Sequence, residues 1–298
     1  MRSEFEPQGT IVIERSRIAD YLTLTKPELT FLSVVTALAG VFLASPGVIQ
    51  IGVLLPVLIG TALVGGGAGA LNQLIEREYD GMMRRTEHRP LPSGRLSPWE
   101  VLVFGTMTSV AGIIGLAVFT NFLAAFLAVV TLVTYLFLYT PLKRITPWST
   151  LVGAIPGALP PVIGWAAVKN GIAVETWLLF GILFFWQMPH FLSLAWMYRK
   201  DYSRAGYRML TVLDPSGMTT SIHIVSYSSF LLVAAVLPGF LGFSGWLYVS
   251  AALLLSTAFI GTGVQLWIRR SNDSARQVFF ASLIYLPVLL LFMIVDKL

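Results

Sequence analysis

The stretch from Asn72 to Asp80 carries one amide and two carboxylates at intervals of four residues: Asn72, Glu76 and Asp80. A spacing of four turns an α-helix about 40° past a full revolution, so these side chains share one slowly rotating face over about 12 Å. Oxygen ligands on one face suit a hard cation, and Mg²⁺ is usually held by one or two carboxylates with water and substrate phosphate. The spacing therefore predicts a Mg²⁺ site.

Basic residues are interspersed with these acids and continue beyond them. Guanidinium groups match phosphate oxygens bidentately, so acids and arginines together indicate a site that handles a metal diphosphate. The alternative is a solvated loop at the membrane surface, in which the acids and arginines pair with one another and the arginines hold anionic lipid headgroups. The arginines are Arg77, Arg84, Arg85 and Arg89.

Two other segments carry groups that could act at the same site. Lys143 and Arg144 follow Tyr139 closely, although a positive stop at the end of a membrane helix explains them equally well. His190 lies in an apolar segment, and an intramembrane histidine is a functional candidate unless it only hydrogen-bonds a neighbouring helix. If that helix continues, Asp201 returns to within about 20° of the face of His190. Otherwise Asp201 is a member of a surface salt bridge.

The composition indicates which elements hold these residues. Of 298 residues, 56% are hydrophobic and 12% charged, with a mean hydropathy of +0.76, whereas a soluble domain has roughly 25% charged residues. The absence of cysteine excludes a disulfide scaffold, a thiolate metal site and a cysteine nucleophile. A spanning helix needs about 20 apolar residues. We therefore predict an all-α polytopic membrane protein with nine transmembrane helices, near 29–45, 50–72, 101–119, 122–140, 149–167, 176–196, 219–237, 246–268 and 277–295.

The loops predict the orientation of this bundle. With the N-terminus in the cytoplasm, 18 of the 20 basic residues fall on the cytoplasmic side, and Lys169 and Lys297 fall outside. The net charge of +5 is then a loop bias, and no nucleic-acid partner is expected. The two long cytoplasmic loops, about 73–100 and 197–218, hold most of the candidate residues. We predict a cytoplasmic tail over 1–28, one transmembrane domain over 29–298, and an active site open to the cytoplasmic face.

Longer motifs surround these residues in a recognisable order. The combination resembles the UbiA superfamily of intramembrane prenyltransferases, and within it the branch that farnesylates haem. The resemblance covers roughly residues 24 to 210, and helices seven to nine rest on hydropathy alone. The motifs are Leu24-Thr-Lys-Pro27, Asn72-x3-Glu76-Arg77-x2-Asp80-x2-Met83-x-Arg85-Thr86-x2-Arg89-Pro90-Leu91, Tyr139-x3-Lys143-Arg144, Gly157-Ala158-x-Pro160-Pro161-x2-Gly164-Trp165, Trp186-Gln187-x-Pro189-His190-Phe191, Asp201-Tyr202-x2-Ala205-Gly206 and Met209-Leu210.

The resemblance implies a UbiA-type bundle in the inner (cytoplasmic) membrane, with the C-terminus outside, that joins the farnesyl group of farnesyl diphosphate to a vinyl group of haem b. It implies haem O as product, one or two Mg²⁺ ions, membrane lipid as surroundings, and haem A synthase as a downstream partner where haem A is made. The implied metal ligands are Asn72, Glu76, Asp80 and Asp201. The implied diphosphate ligands are Arg77, Arg85, Arg89, Lys143, Arg144 and Tyr139, and His190 and Trp186 are the expected haem contacts.

The sequence departs from the superfamily pattern in two places. Glu76 stands where the first motif usually has aspartate, which keeps the carboxylate and lengthens its reach by one methylene. Tyr198 and Tyr202 align with two aspartates of the second motif, so Asp201 is the one acid left there and the number of metal ions is open. Alternatives are a related enzyme that prenylates a quinone precursor or chlorophyllide, a membrane transporter, and a structural membrane subunit. A transporter site usually lies near the midplane.

Overall fold

The computed structural model describes residues 16–298, and residues 1–15, the first part of the predicted cytoplasmic tail, lie outside the described residues. The described part is helical and contains no strand. Its elements are α1 (Arg17–Leu24), α2 (Pro27–Ala44), α3 (Ile51–Ile75), α4 (Arg77–Asp80), α5 (Pro98–Phe119), α6 (Phe122–Val133), a π-helical segment (Thr134–Tyr139), α7 (Thr140–Leu142), α8 (Ser149–Ala158), α9 (Pro160–Lys169), α10 (Val174–Met197), α11 (Arg199–Arg204), α12 (Leu210–Leu213), α13 (Met218–Phe240), α14 (Trp246–Arg269) and α15 (Asn272–Val295).

Nine membrane spans are present within residues 16–298, which confirms the predicted number. One span combines α6, the π-helical segment and α7, and another combines α8 and α9. The largest difference in a boundary is at α15, which begins five residues before the predicted start at 277. Its first turn carries Asp273 and Arg276, so an uncharged run does not detect it, whereas the Ser271 hydroxyl caps the helix by accepting from the Ser274 N–H at 3.2 Å.

Two spans form the centre of the bundle. The α8–α9 span and α10 are buried over most of their length, whereas the other spans are mostly exposed towards the surrounding lipid. Helix α10 packs against α8, α9, α13 and α15. A helix that is apolar on every side belongs inside a bundle. The polar residues of α10 therefore face protein or a cavity, and not lipid.

Glycine allows close contact between helices. Helices α3 and α5 approach backbone to backbone, and a β-carbon on Gly112 would lie 2.7 Å from the Gly60 carbonyl oxygen. Small residues at helix interfaces permit such contact in membranes, where burial from water supplies no drive between helices. This packing fixes α3, whose C-terminal end begins the acidic stripe of Asn72, Glu76 and Asp80.

The two long loops, about 73–100 and 197–218, fold back over that end of the bundle. The first loop is tied to α1 by the Arg95 guanidinium, whose Nε donates to both carboxylate oxygens of Asp20 at 2.9 and 3.1 Å. The second loop is tied to the short loop after α7, where the Arg208 N–H donates to the Lys143 carbonyl at 2.9 Å. The loops meet in an apolar cluster formed by Met83, Ala195, Ala205, Tyr207 and Met209.

Candidate active site

The acidic stripe runs from α3 into α4, across a change in backbone geometry at Glu76. Helix α3 ends at Ile75, and Glu76 leaves helical geometry at φ −93° and ψ 7°. The Glu76 N–H still donates to the Asn72 carbonyl at 2.9 Å, and the Asp80 N–H to the Glu76 carbonyl at 2.8 Å. The hydrogen-bond ladder therefore continues, and Asn72, Glu76 and Asp80 are all buried, with 0%, 6% and 1% of their surface exposed.

Each member of the stripe faces a cationic side chain. The Lys26 ammonium donates to Asn72 Oδ1 at 2.5 Å. The Lys143 ammonium donates to both carboxylate oxygens of Glu76, at 2.8 and 3.1 Å. The third contact joins Arg89 to Asp80, with Nη1 2.7 Å from Oδ2. Two carboxylates and three cationic groups thus form one buried polar cluster at the end of the bundle that the two long loops cover.

The charges of this cluster perturb its titration. Burial alone would raise the pKa of Glu76, but the nearby Lys143 and Lys26 ammonium groups hold it below its ordinary value. Burial alone would lower the pKa of Lys143, but the Glu76 carboxylate holds it well above its ordinary value. Burial and the charge of Arg89 lower the pKa of Lys26 to about 7. An anion arriving beside Lys26 would favour its charged form.

The predicted diphosphate ligands lie at different distances from the cluster. Arg89 and Lys143 are members of it. Arg85 stacks on the Tyr198 ring at 4.8 Å and donates to the Tyr202 hydroxyl at 3.4 Å, so both tyrosines in place of second-motif aspartates contact it. These contacts join the two long loops.

The other three predicted diphosphate ligands are Arg144, Tyr139 and Arg77. Arg144 stacks on the Tyr79 ring at 4.2 Å. The Tyr139 ring lies 4.6 Å from the Lys143 ammonium, beneath the cluster. Arg77 points away, with 46% of its side chain exposed and Nη1 donating to the Leu74 carbonyl at 3.4 Å.

Asp201 is not a member of the polar cluster around Asn72, Glu76 and Asp80. Helix α10 continues through Pro189 but ends at Met197, and Tyr198 leaves helical geometry before α11 begins. The continuous face expected for His190 and Asp201 is therefore interrupted. The Asp201 carboxylate accepts from the Arg204 guanidinium at 3.2 Å, the salt bridge that the alternative explanation expected.

A cavity of about 210 Å³ extends from the polar cluster into the bundle. Lys26, Gly69 and Tyr139 line its end beside the polar cluster, and Trp186, Gln187 and His190 line it farther into the bundle. Most of the remaining lining is apolar. Lys26 is the member of the polar cluster that lines the cavity, so a cationic group stands at one end of a mostly apolar chamber, an arrangement that fits an amphiphile with an anionic head and a hydrocarbon tail. We call this end, with the polar cluster beside it, the cationic mouth. Its other lining residues include Leu29, Leu32, Val64, Ala128, Ile163, Leu183 and Leu286.

His190 and Trp186 stand one helical turn apart in that chamber. The imidazole lies between two stacked rings, with centroids 5.0 Å from Trp186 and 4.9 Å from Phe279. Its Nδ1 is 2.8 Å from the Ser282 hydroxyl on α15, which is the bond to a neighbouring helix that the alternative explanation expected. The Trp186 indole N–H donates to the Ser282 carbonyl at 2.8 Å. Both predicted haem contacts are thus anchored on one serine while lining the cavity.

Four functional candidates were not assigned a role from the sequence. Lys26 is buried beside Asn72 in a left-handed conformation, with φ 47°, although its Lys-Pro motif was visible. Thr140 accepts from the Asn72 side-chain amide at 2.9 Å. Gln187 lies within the motif from Trp186 to Phe191. Ser282 had no sequence signal, because an isolated serine in an apolar helix is common.

The donor set of the cluster fits a hard divalent cation. Within the described residues, no three His, Cys, Asp or Glu side chains converge to form an all-protein metal site. Two buried carboxylates and one amide oxygen lie along the acidic stripe, and these are donors that Mg²⁺ takes when water and substrate phosphate complete its shell. The three cations that now face these oxygens are the groups that a diphosphate would draw towards itself.

Known proteins resemble this chain over nearly its whole length. The model of the UbiA prenyltransferase family matches residues 33–284. The protoheme IX farnesyltransferase of Solibacter usitatus is 47% identical over 287 residues, covering 93% of this chain and 98% of the relative. The protoheme IX farnesyltransferase of Salinibacter ruber is 43% identical over 277 residues, with the same coverage.

Solved structures support the fold. A structure of digeranylgeranylglyceryl phosphate synthase aligns with a TM-score of 0.78 at 19% identity, covering 94% of this chain and 98% of that one. A UbiA homologue from Archaeoglobus fulgidus bound to DMAPP and Mg²⁺ aligns with a TM-score of 0.69 at 14% identity, covering 92% and 99%. Family model, relatives and fold agree. The chain therefore belongs to the UbiA prenyltransferase family and is a multi-pass membrane enzyme.

Proposed function

We propose that this chain transfers the farnesyl group of farnesyl diphosphate to a vinyl group of haem b, which gives haem O and diphosphate. The observation that carries this proposal is the full-length similarity to proteins named protoheme IX farnesyltransferase. The geometry is consistent with it, because a cationic mouth opens onto an apolar cavity. The identity of the acceptor is a more specific proposal than the transfer of a prenyl group.

The cationic mouth is proposed to hold the diphosphate. As the bond from C1 of farnesyl to oxygen breaks, negative charge grows on the leaving group, and cations already in place stabilise it without rearrangement. Lys143 and Arg89 are positioned by their carboxylate partners, so they need not be ordered by the substrate. The proposed set is Arg77, Arg85, Arg89, Lys143, Arg144 and Tyr139, to which we add Lys26.

The proposed metal ligands are Asn72, Glu76 and Asp80. Bound Mg²⁺ supplies positive charge for the departing diphosphate. The carboxylates are buried and hydrogen-bonded, so their positions are fixed before substrate arrives. Asp201 is the predicted fourth ligand. It pairs with Arg204 and is the acid proposed to hold a second ion.

The apolar part of the cavity is proposed to hold the farnesyl chain and to exclude bulk water from the allylic cation. His190 and Trp186 are proposed to contact haem at the deeper end. The membrane is proposed to be the inner one, with the N-terminus and the site on the cytoplasmic side and the C-terminus outside. Haem A synthase is the proposed consumer of haem O.

The decisive experiment incubates the purified chain with farnesyl diphosphate, Mg²⁺ and haem b and identifies the porphyrin products by mass spectrometry. We expect haem O. Parallel reactions replace haem b by 4-hydroxybenzoate or a naphthoate. Prenylation of either of those acceptors without haem O would contradict the acceptor while keeping the prenyltransferase class. Release of no diphosphate with any acceptor would contradict the farnesyl-transfer proposal for this chain.

A further inference from the structure

The hydrogen bonds around His190 favour one tautomer. The Ser282 hydroxyl has one proton, and the Phe279 carbonyl accepts it at 2.5 Å. In that arrangement the same hydroxyl oxygen accepts from His190 Nδ1 at 2.8 Å. Nδ1 thus carries the proton in neutral imidazole, and Nε2 carries a lone pair. No partner for Nε2 is present among the described residues, and His190 lines the cavity.

Gln187 presents a second acceptor to the same cavity. Its side-chain nitrogen donates to the carbonyls of Ala154 at 3.3 Å and Leu183 at 3.0 Å, so the amide orientation follows from its partners. Its oxygen lies in the space left by Gly157, where the β-carbon of any other residue would overlap it. Within residues 16–298 this oxygen has no hydrogen-bond donor, and Gln187 lines the cavity. Gly157 therefore keeps the Gln187 oxygen free to accept.

Two acceptors one helical turn apart, with no donor beside them, orient a water molecule in one way. Positions three apart on a helix are neighbours on one face. A water that donates one proton to each acceptor directs its oxygen lone pairs away from them, into the cavity. The nucleophile needed to capture a carbocation has this orientation. We propose that His190 is the general base for the water that completes the hydroxyethyl group of haem O, and that Gln187 orients that water.

The proposal rests on the proposed function, and its step is balanced. The vinyl group attacks C1 of farnesyl, a carbon–carbon bond forms, and the carbon–oxygen bond breaks with its electron pair leaving on diphosphate. Positive charge remains on the vinyl carbon next to the porphyrin ring. The water oxygen forms a bond to that carbon, and its proton passes to His190 Nε2 and later to solvent. Haem b, farnesyl diphosphate and water thus give haem O and protonated diphosphate.

The surroundings of His190 leave one ring nitrogen for a molecule in the cavity. Trp186 and Phe279 cover both faces of the imidazole, Nδ1 contacts Ser282, and His190 lines the cavity. Nε2 is therefore the ring nitrogen that can accept from a water held beside the substrates.

Ser282 is a positioning residue in this proposal. It is fully buried and does not reach the cavity, but its hydroxyl selects the tautomer and its carbonyl anchors Trp186. Without the hydroxyl, the imidazole proton is free to sit on Nε2, and the base is lost in that fraction of molecules. Loss of Ser282 should therefore lower kcat and leave the KM for farnesyl diphosphate unchanged.

The test uses the full chain in detergent with reduced haem b, farnesyl diphosphate and Mg²⁺. For His190→Ala we expect haem O formation to fall by about 10²–10⁴-fold, the usual contribution of a general base. Diphosphate release should fall less, a farnesylated porphyrin lighter by one water should accumulate, and added imidazole should restore part of the haem O. Wild-type haem O formation by this variant would overturn the proposal, and so would a changed absorption spectrum of bound haem, which indicates a lost iron ligand.

Variants of Ser282 keep the test informative if His190→Ala fails to fold. We expect Ser282→Ala to lower kcat with an unchanged KM and Ser282→Thr to restore it, because threonine keeps the hydroxyl. The matched control is Ser256→Ala, which removes an equally buried hydroxyl that contacts Tyr285 at 2.8 Å outside the cavity. Equal losses in Ser282→Ala and Ser256→Ala would overturn the positioning role. A wild-type enzyme that makes no haem O would instead contradict the proposed function.

Discussion

Replacing Lys143 by Met would leave the Glu76 carboxylate buried without its main partner. The two side chains are only 13% and 7% exposed, and the ammonium lies 2.8 Å from the nearer oxygen. At that distance two unit charges attract by about 6 kcal/mol at an effective dielectric constant of about 20. Desolvation offsets most of this attraction while the pair is intact, but loss of one partner typically costs about 3–5 kcal/mol. We expect Lys143→Met to be destabilised by that amount.

The cost should depend on pH and on Glu76. A buried carboxylate without a partner has a raised pKa and escapes part of the penalty by taking up a proton. Lys143→Met should therefore be closest to wild type in acid and lose stability as the pH rises. Adding Glu76→Gln removes the unpaired charge, so the double variant should be more stable than Lys143→Met by about 2–3 kcal/mol.

The assay compares thermal unfolding midpoints of the wild type, both single variants and the double variant in one detergent at one scan rate, at two pH values. A fixed scan rate is needed because membrane proteins often unfold irreversibly. A wild-type midpoint for Lys143→Met would refute the reasoning. Additive destabilisation in the double variant would refute it equally, because independent sites add whereas a broken pair does not.

Three further predictions concern other parts of the site and its support. Asp80→Ala should lower Mg²⁺-dependent turnover by at least about 10³-fold without loss of folded protein. The control Asp273→Asn, at an exposed position, should retain turnover. Near-normal activity of Asp80→Ala would contradict the metal assignment. Lys26→Met should raise the KM for farnesyl diphosphate by about 10–100-fold, the value of one charged hydrogen bond, and an unchanged KM in steady-state assays would exclude Lys26 from the diphosphate site. The Asp214 carboxylate accepts from the Thr220 N–H at 2.8 Å, and this bond together with its other hydrogen bonds outweighs burial and lowers the pKa of Asp214. Asp214→Asn should therefore lower the unfolding midpoint near neutral pH, and this difference should vanish as the pH falls below about 4. A difference that persists in acid would contradict the prediction.

The sequence predicts the nine spans because hydropathy and loop charge are local properties. It also predicts Asn72, Glu76 and Asp80 as one stripe, since helical spacing alone brings them together. Contacts between distant segments are not encoded in this local way. Lys26 reaches Asn72 across 46 positions, and Lys143 reaches Glu76 across 67.

The remaining differences have equally specific physical causes. The break after α10 separates Asp201 from the face of His190, because Tyr198 leaves helical geometry at φ −103° and ψ 17°. The π-helical segment places Tyr135 and Tyr139 side by side at 5.5 Å, although the sequence predicts an ordinary helix there. Ser282 contacts His190 because α15 packs against α10, and the local sequence does not predict that contact.

The position of Ser282 and Leu286 on the last helix affects how the enzyme is made. The wall of the cavity begins at Lys26, next to the start of the first span, and ends at Leu286, in the second half of the ninth. A ribosome must therefore deliver every span before the chamber is closed. During synthesis the polar cluster can assemble early from Lys26, α3 and Lys143. His190 gains its contacts with Ser282 and Phe279 only after α15 has been made. A chain truncated before α15 would carry the cationic mouth but an unfinished chamber.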